Sequence, residues 1–148
     1  MNAIEMIKQD HRRIDALFTK FLETESDMTQ EQLFQEIETG LNTHAEMEEH
    51  VLYPALKPLA EDKIDEALQE HTEVKELLAE VLDVDLDEDE FESHFNKLME
   101  DVRHHVEEEE SPNGILELAR KNFDETKLSE MAAEMQNIQQ RIRHDLAA

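Results

Sequence analysis

Residues 91–109 have the sequence FESHFNKLMEDVRHHVEEE, and the periodicity of this stretch indicates the fold. Its large apolar residues recur in steps of three and four, which places them on one face of an α-helix. These residues are Phe91, Phe95, Leu98 and Val102. The next two steps fall on His105 and Glu109. A helix that turns its apolar face inward therefore also turns an imidazole and a carboxylate inward.

Three further segments show helical periodicity, and the whole pattern predicts an all-α protein. We expect helices over residues 2–23, 29–53, 62–82 and 87–110, with one or two more helices in residues 115–148. Asn2 and Thr29 are the expected caps of the first two helices, and Pro54 is expected to end or kink the second. The short connectors favour antiparallel neighbours, hence an up-down antiparallel four-helix bundle in residues 1–123. The tail, residues 124–148, is expected to pack on the bundle.

The other three helices also direct histidines inward. The apolar faces of the first, second and third helices include His11, His44 and His71, and Glu48 follows His44 by one turn. A shift of about 60 residues aligns His11 with His71, and it aligns the His44–Glu48 pair with His105–Glu109. The domain therefore resembles two helical hairpins with the same polar residues at the same depth.

Four inward histidines and two inward carboxylates predict a metal site. A single buried histidine is usually a hydrogen-bonded core residue, but two buried carboxylates need a compensating charge. The inward faces supply no Lys or Arg, so a bound cation is the economical partner. Imidazole and carboxylate without cysteine suit iron, manganese or zinc, and two metals bridged by both glutamates fit this set. We expect the other histidines and the neighbouring glutamates at the surface. These residues are His50, His94, His104, His144, Glu107, Glu108 and Glu110.

Composition excludes several classes of function. The chain has 14 Lys and Arg against 39 Asp and Glu, a formal charge of −25, which argues against binding nucleic acid or an anionic membrane. It has no Cys and only 2 Gly, so it lacks thiolate chemistry and Gly-rich phosphate loops. No apolar signal segment opens the sequence, and a cytoplasmic monomer is the default expectation.

The spacing of these residues resembles the hemerythrin-like, or HHE cation-binding, domain over roughly residues 4–123. The pattern comprises His11, His44-x-x-x-Glu48 with Glu49, Leu52-Tyr53-Pro54, Glu70-His71, and His104-His105 followed by Glu109-Glu110. The resemblance implies two iron ions in a non-haem di-iron centre, oxo- or hydroxo-bridged when oxidised. It makes His11, His44, His71 and His105 terminal ligands and Glu48 and Glu109 the bridges, with Glu110 as the alternative second bridge.

The resemblance also implies a ligand for the centre, namely dioxygen or a related small oxidant such as nitric oxide or peroxide. Oxygen-carrying hemerythrins have a further histidine one turn after the third-helix ligand, where this sequence has Lys75. We therefore expect binding or sensing rather than reversible carriage.

Two other functions remain alternatives. One is a di-iron oxidase or a peroxide- or iron-handling enzyme, although the Glu-x-x-His pattern of ferritin-like proteins does not occur. The other is a metal-free helical interaction module whose acidic surface recruits a basic partner.

Overall fold

The structure, a computed structural model, describes residues 1–147 and the side chains of residues 1–146, so the last residue of the predicted tail, Ala148, lies outside the described residues. The described chain is helical throughout, without strands. The helices are α1 (Ala3–Glu23), α2 (Asp27–Met47), a π-helical turn (Glu48–Leu52), α3 (Tyr53–Leu56), α4 (Glu61–Leu82), α5 (Asp89–Glu109), α6 (Ile115–Asn122) and α7 (Glu125–Ala147).

The start of each of the first two helices is set by a side-chain cap. The Oδ1 atom of Asn2 accepts a 2.9 Å hydrogen bond from the backbone N–H of Glu5, as predicted. The prediction that Thr29 caps the second helix is wrong. Ser26 caps it instead, because its hydroxyl accepts the free N–H of Thr29, and the helix begins at Asp27.

The helices α1, α2, α4 and α5 form two hairpins, as predicted. Helix α1 packs against α2, α4 packs against α5, and α1 also touches α5, which closes an up-down bundle. Helix α7 packs against α1, α2 and the π-helical turn. The described part of the predicted tail thus lies on the bundle, while the division of the chain at residue 124 stays a prediction. Among the described residues, no helix is long and apolar enough to cross a membrane.

The core consists of two apolar clusters. One contains the start of α1, the end of α2 and the inward face of α7, including Ile7, Leu52 and Met135. The other is rich in phenylalanine and includes Phe18, Phe95 and Leu98. The inward histidines and glutamates fall between these clusters along α1, α2 and α5, so apolar side chains lie on both sides of the polar layer.

The second helix does not reach Tyr53 as a regular α-helix. It changes at Glu48 into a π-helical turn, in which the N–H of Tyr53 donates to the carbonyl of Glu48, five residues back. Pro54 follows and has no N–H to offer the carbonyl of His50, so the ladder could not continue in α-helical register. The kink predicted at Pro54 therefore takes the form of a wider turn, a feature that often marks functional sites.

Candidate metal centre

The structure brings all six predicted ligand residues together in one buried layer. The helices α1, α2, α4 and α5 each contribute one histidine, and the two glutamates come from the π-helical turn and the end of α5. None exposes more than 7 % of its surface. The residues are His11, His44, Glu48, His71, His105 and Glu109. Their assignment as metal ligands stays a prediction that this geometry supports.

The layer divides into two overlapping groups of ligand atoms. In each group, the candidate donor atoms all lie within 4.8 Å of one another. The first group adds His11 and His44 to the two glutamates, and the second adds His71 and His105 to the same two glutamates. Glu48 and Glu109 thus belong to both groups, which is the arrangement of two sites bridged by carboxylates.

The inner ring nitrogens all point at these carboxylates. The Nε2 atoms of His44 and His71 each lie 3.0 Å from Oε1 of Glu48. The Nε2 atom of His11 lies 3.1 Å from Oε1 of Glu109, and that of His105 lies 3.3 Å from Oε2. Four nitrogens and two carboxylates thus converge from four helices on one small volume.

The outer ring nitrogen of each histidine donates to a carboxylate on a neighbouring helix. His44 Nδ1 donates to Asp10 at 2.7 Å, and His71 Nδ1 donates to Glu49 at 2.9 Å. His105 Nδ1 donates to Glu70 at 2.7 Å, and His11 Nδ1 donates to Glu110 at 2.7 Å. We call Asp10, Glu49, Glu70 and Glu110 the outer carboxylates. Such bonds fix the tautomer and orientation of metal-binding imidazoles.

The outer carboxylates form a closed ring around the bundle. The carboxylate on α1 holds the histidine of α2, and that of the π-helical turn holds the histidine of α4. The carboxylate of α4 holds the histidine of α5, and the one at the end of α5 holds the histidine of α1. Every helix of the bundle therefore both gives and receives one such bond.

This orientation creates a need for a cation at the inner nitrogens. An imidazole whose Nδ1 carries the donated hydrogen has, when neutral, a lone pair on Nε2, and here that lone pair faces carboxylate oxygens. In the metal-free protein, protons take this place. Burial alone would lower the pKa of His44, but Glu48 and Asp10 outweigh it and raise the pKa to about 10. Burial likewise opposes a charge on His105, yet Glu109 and Glu48 raise its pKa to about 12.

Two buried atoms at the centre make no hydrogen bond in the described chain. They are Nε2 of His44 and Oε2 of Glu48, and Glu48 is completely buried. A buried polar atom without a partner costs on the order of 1–3 kcal/mol. Metal coordination satisfies a nitrogen lone pair and a carboxylate oxygen together, so the residues present fit a metal ion of the kind that accepts imidazole and carboxylate ligands.

Tyr53 also reaches the centre, although sequence reasoning gave it no role there. Its hydroxyl donates a 2.7 Å hydrogen bond to Oε2 of Glu109 and lies 3.0 Å from Nε2 of His71. Burial and the carboxylates of Glu48 and Glu109 raise the pKa of Tyr53 well above its ordinary value, so the hydroxyl keeps its proton. The π-helical turn, which ends just before Tyr53, could not be read from the helical period.

The structure separates Glu109 from its alternative, Glu110. Glu109 lies in the inner layer, whereas Glu110 reaches around to the outer nitrogen of His11. Glu110 is at the surface as expected, but its carboxylate is engaged. Lys75 is half-exposed and pairs with Glu49 at 3.2 Å, so its position adds no nitrogen to the inner layer. His50, His104 and His144 are exposed as predicted, and His94 is half-buried.

The sequence of residues 2–112 matches the Hemerythrin HHE cation binding domain. The chain belongs to the hemerythrin HHE cation-binding domain family. The bundle and its buried histidine–glutamate layer are those of a metal-binding HHE domain.

Two similar proteins extend the comparison. A crystal structure of an HHE cation-binding domain-containing protein from Mycobacterium kansasii has 26 % sequence identity and a TM-score of 0.85, covering 98 % of this chain and 89 % of that one. A Nostoc protein described as a DNA nickase is 29 % identical over 147 residues, 99 % of this HHE domain chain. The chain spans 41 % of the length of that relative.

Proposed function

We propose that this HHE domain holds two iron ions between Glu48 and Glu109 and binds or senses dioxygen or a related small oxidant there. One site takes His11 and His44, and the other takes His71 and His105. The overlapping donor groups support a pair of metals rather than one. Iron is the member of the suitable set that makes such a centre reactive towards dioxygen, nitric oxide and peroxide.

A small apolar cavity next to the centre carries the proposal. Its volume is about 40 Å³, and all four inward histidines line it. The rest of its lining is mainly aliphatic, including Ile14, Leu41, Val74, Leu78 and Val102, and Asn42 and Lys75 are its polar members. A cavity needs about 10–15 Å³ to hold a single water. This one accommodates a diatomic molecule or peroxide and excludes an organic substrate.

The chain's own residues prepare this site for a small ligand. The outer carboxylates hold the imidazoles so that only Nε2 faces inward, and the aliphatic lining keeps bulk water away. The Tyr53 hydroxyl, held by Glu109, places a proton at the edge of the centre. Bound iron would supply the electrons for ligand binding or reduction.

Metal content and the response to gas test this proposal. Anaerobic loading with ferrous iron is expected to give close to two irons per chain, and oxidation in air is expected to change the visible spectrum. With Lys75 outside the centre, cycling between oxygen and argon is expected to give poor recovery of the reduced form. A chain that binds almost no iron, with unchanged melting temperature, would favour a metal-free interaction module.

A cavity-filling variant tests the role of the apolar cavity separately. Val74→Leu adds one methylene at its lining, so iron content should be retained while the reaction with dioxygen slows several-fold. Val84→Leu is the matched control, because Val84 packs on the Phe-rich cluster and does not line this cavity. Equal slowing in both variants would mean that the cavity does not admit the ligand.

The charge of the chain disfavours a nickase activity like that named for the Nostoc relative. A duplex-binding surface needs clustered Lys and Arg to neutralise phosphates. This chain carries a net charge of −25. A peroxide- or iron-handling enzyme remains compatible with the same centre, and steady consumption of peroxide by the iron-loaded protein would favour it.

A further inference from the structure

A third cluster of metal-ligating side chains lies outside the inner layer. Glu70 of α4 and His104 and Glu108 of α5 offer ligand atoms that all lie within 4.8 Å of one another. His104 and Glu108 are one helical turn apart, with Nε2 and Oε1 at 2.8 Å, and the His104 side chain is 66 % exposed. One imidazole and two carboxylates form a donor set that suits Fe²⁺, Mn²⁺ or Zn²⁺.

This outer cluster is joined to the inner layer by a shared residue and by a cavity. Glu70 accepts the hydrogen bond from His105 Nδ1 and also belongs to the outer cluster. A cavity of about 220 Å³ is lined by Glu66, Glu70 and Glu108, and its lining includes the buried His105 and Glu109. Carboxylates therefore border a space that leads from the exposed cluster to a residue of the candidate centre.

We propose that Glu70, His104 and Glu108 form an outer capture site for a divalent cation, which then passes along this cavity to Glu109. The transfer step rests on the proposed function, because the inner layer is where the cation goes. The capture step depends only on Glu70, His104 and Glu108. A hydrated cation first exchanges water for His104 and Glu108 at the surface. The side chain of Glu70 is only 19 % exposed. Its carboxylate then draws the cation towards His105 and Glu109.

The acidic lining distinguishes this route from another opening to the polar layer. A cavity of about 860 Å³ reaches His11 and Glu110, but Arg12 and Arg103 also line it and oppose the entry of a cation. The apolar cavity at the four histidines suits a neutral gas and opposes a charged ion. Lys63 also lines the acidic route, and its ammonium donates a hydrogen bond to the backbone carbonyl of Asn113 at one side.

The rate of metal uptake by the full chain tests the proposal. The metal-free protein is mixed with Fe²⁺ without oxygen, or with Mn²⁺, and uptake is followed by competition with a coloured chelator. His104→Ala and Glu108→Gln are expected to take up metal about ten-fold more slowly, yet to reach the same final content in the inner layer. His50→Ala is the matched control, because His50 is 62 % exposed and pairs with Glu46 at the same spacing of four residues.

The outcomes separate this inference from the proposed function. Uptake at the same rate in His104→Ala and His50→Ala overturns the capture site. If the wild-type chain gains no metal in its inner layer, the proposed function fails instead. Equilibrium dialysis with Mn²⁺ then tests the outer site by itself. We expect one weakly held ion that His50→Ala keeps and His104→Ala loses.

Discussion

The hydroxyl of Tyr53 donates to Oε2 of Glu109 at 2.7 Å, across 56 positions of sequence. Tyr53→Phe keeps the buried ring and removes this donor, so Oε2 of a buried carboxylate loses its shortest contact and keeps only His105 Nε2 at 3.3 Å. We expect the metal-free protein to lose about 1–3 kcal/mol of unfolding free energy, measured in urea. Iron content should stay near two per chain. Unchanged stability would mean that another group satisfies Glu109.

Two pairs of residues on α5 have the same spacing of four but face different directions, His105 and Glu109 inward and His104 and Glu108 outward. His105→Ala or Glu109→Ala is expected to abolish stable binding of two metals, because both side chains lie in the inner layer. His104→Ala and Glu108→Ala should leave the final stoichiometry unchanged, because both side chains are exposed. Elemental analysis of the four loaded variants is the measurement. Loss of a metal from Glu108→Ala but not from Glu109→Ala would contradict the structure.

The outer carboxylates are expected to tune the affinity of the inner layer for metal without being ligands of that layer. Asp10→Asn weakens the bond that orients His44, so affinity should fall about 10–100-fold. Asp15→Asn is the matched control on the same helix, since Asp15 is exposed and pairs with Arg103. Competition with a chelator measures both affinities. Equal affinities for the two variants would remove any orienting role from Asp10.

Metal binding should release protons. The pKa values of His44 and His105, raised to about 10 and about 12, mean that both imidazoles are charged at pH 7 in the metal-free protein. A nitrogen must lose its proton before it can ligate, so we expect His44 and His105 each to release one proton on loading at pH 7. A pH indicator in weak buffer measures this. Loading without proton release would show that the imidazoles were neutral.

The same raised pKa values make the metal-free protein sensitive to alkali in a way that the metal-loaded protein should not be. Stability from a charged His44 is fully present below pH 6.5, its ordinary pKa, and is lost as pH rises through about 10. Burial opposes a charge on Glu48, but His44, His105 and His71 hold the pKa of its carboxyl well below 4.5. Its charge therefore stabilises the fold above pH 4.5, and this stability is lost in acid. The melting temperature of the metal-free protein should therefore fall from pH 7 to pH 10. The stabilisation gained on metal loading should grow over the same range.

Gly114 is expected to tolerate no side chain. A Cβ there would lie 2.3 Å from the backbone oxygen of Glu108 and 2.5 Å from that of Glu109. Gly114→Ala must therefore displace the end of α5, and both melting temperature and metal content should fall. Gly40→Ala is the control, since its Cβ would meet only ordinary contacts at 3.6 Å. It should stabilise helix α2 by about 0.5–1 kcal/mol.

Helical periodicity was sufficient to predict the bundle and the six residues of the inner layer. A side chain in phase with Phe91 and Leu98 must face the core, and that argument needs only one helix at a time. It identified His105 over His104 and Glu109 over Glu110. The cap at Ser26 was missed because Thr29, three residues on, is also a favourable capping residue, although serine is the better one.

The outer carboxylates and Tyr53 required knowledge of how the helices are rotated against one another. Asp10, Glu49, Glu70 and Glu110 each stand next to an inner residue in the sequence, but each bonds a histidine of another helix. The adjacency is a signal that could have been read, since an acidic residue beside each inward one recurs four times. For the π-helical turn before Tyr53, Pro54 is the one indication in the sequence.

The closed ring of outer carboxylates also fixes the vertical alignment of the bundle. Apolar faces alone allow one helix to slide along its neighbour by a turn, about 5.4 Å, and still bury hydrocarbon. Such a slip of α1 would separate Asp10 from His44 and Glu110 from His11 at once. Each of the helices α1, α2, α4 and α5 is held in this way on two sides. The ring thus selects a single register before any ion arrives, and it sets the positions of the inner nitrogens on which the geometry of a metal centre depends.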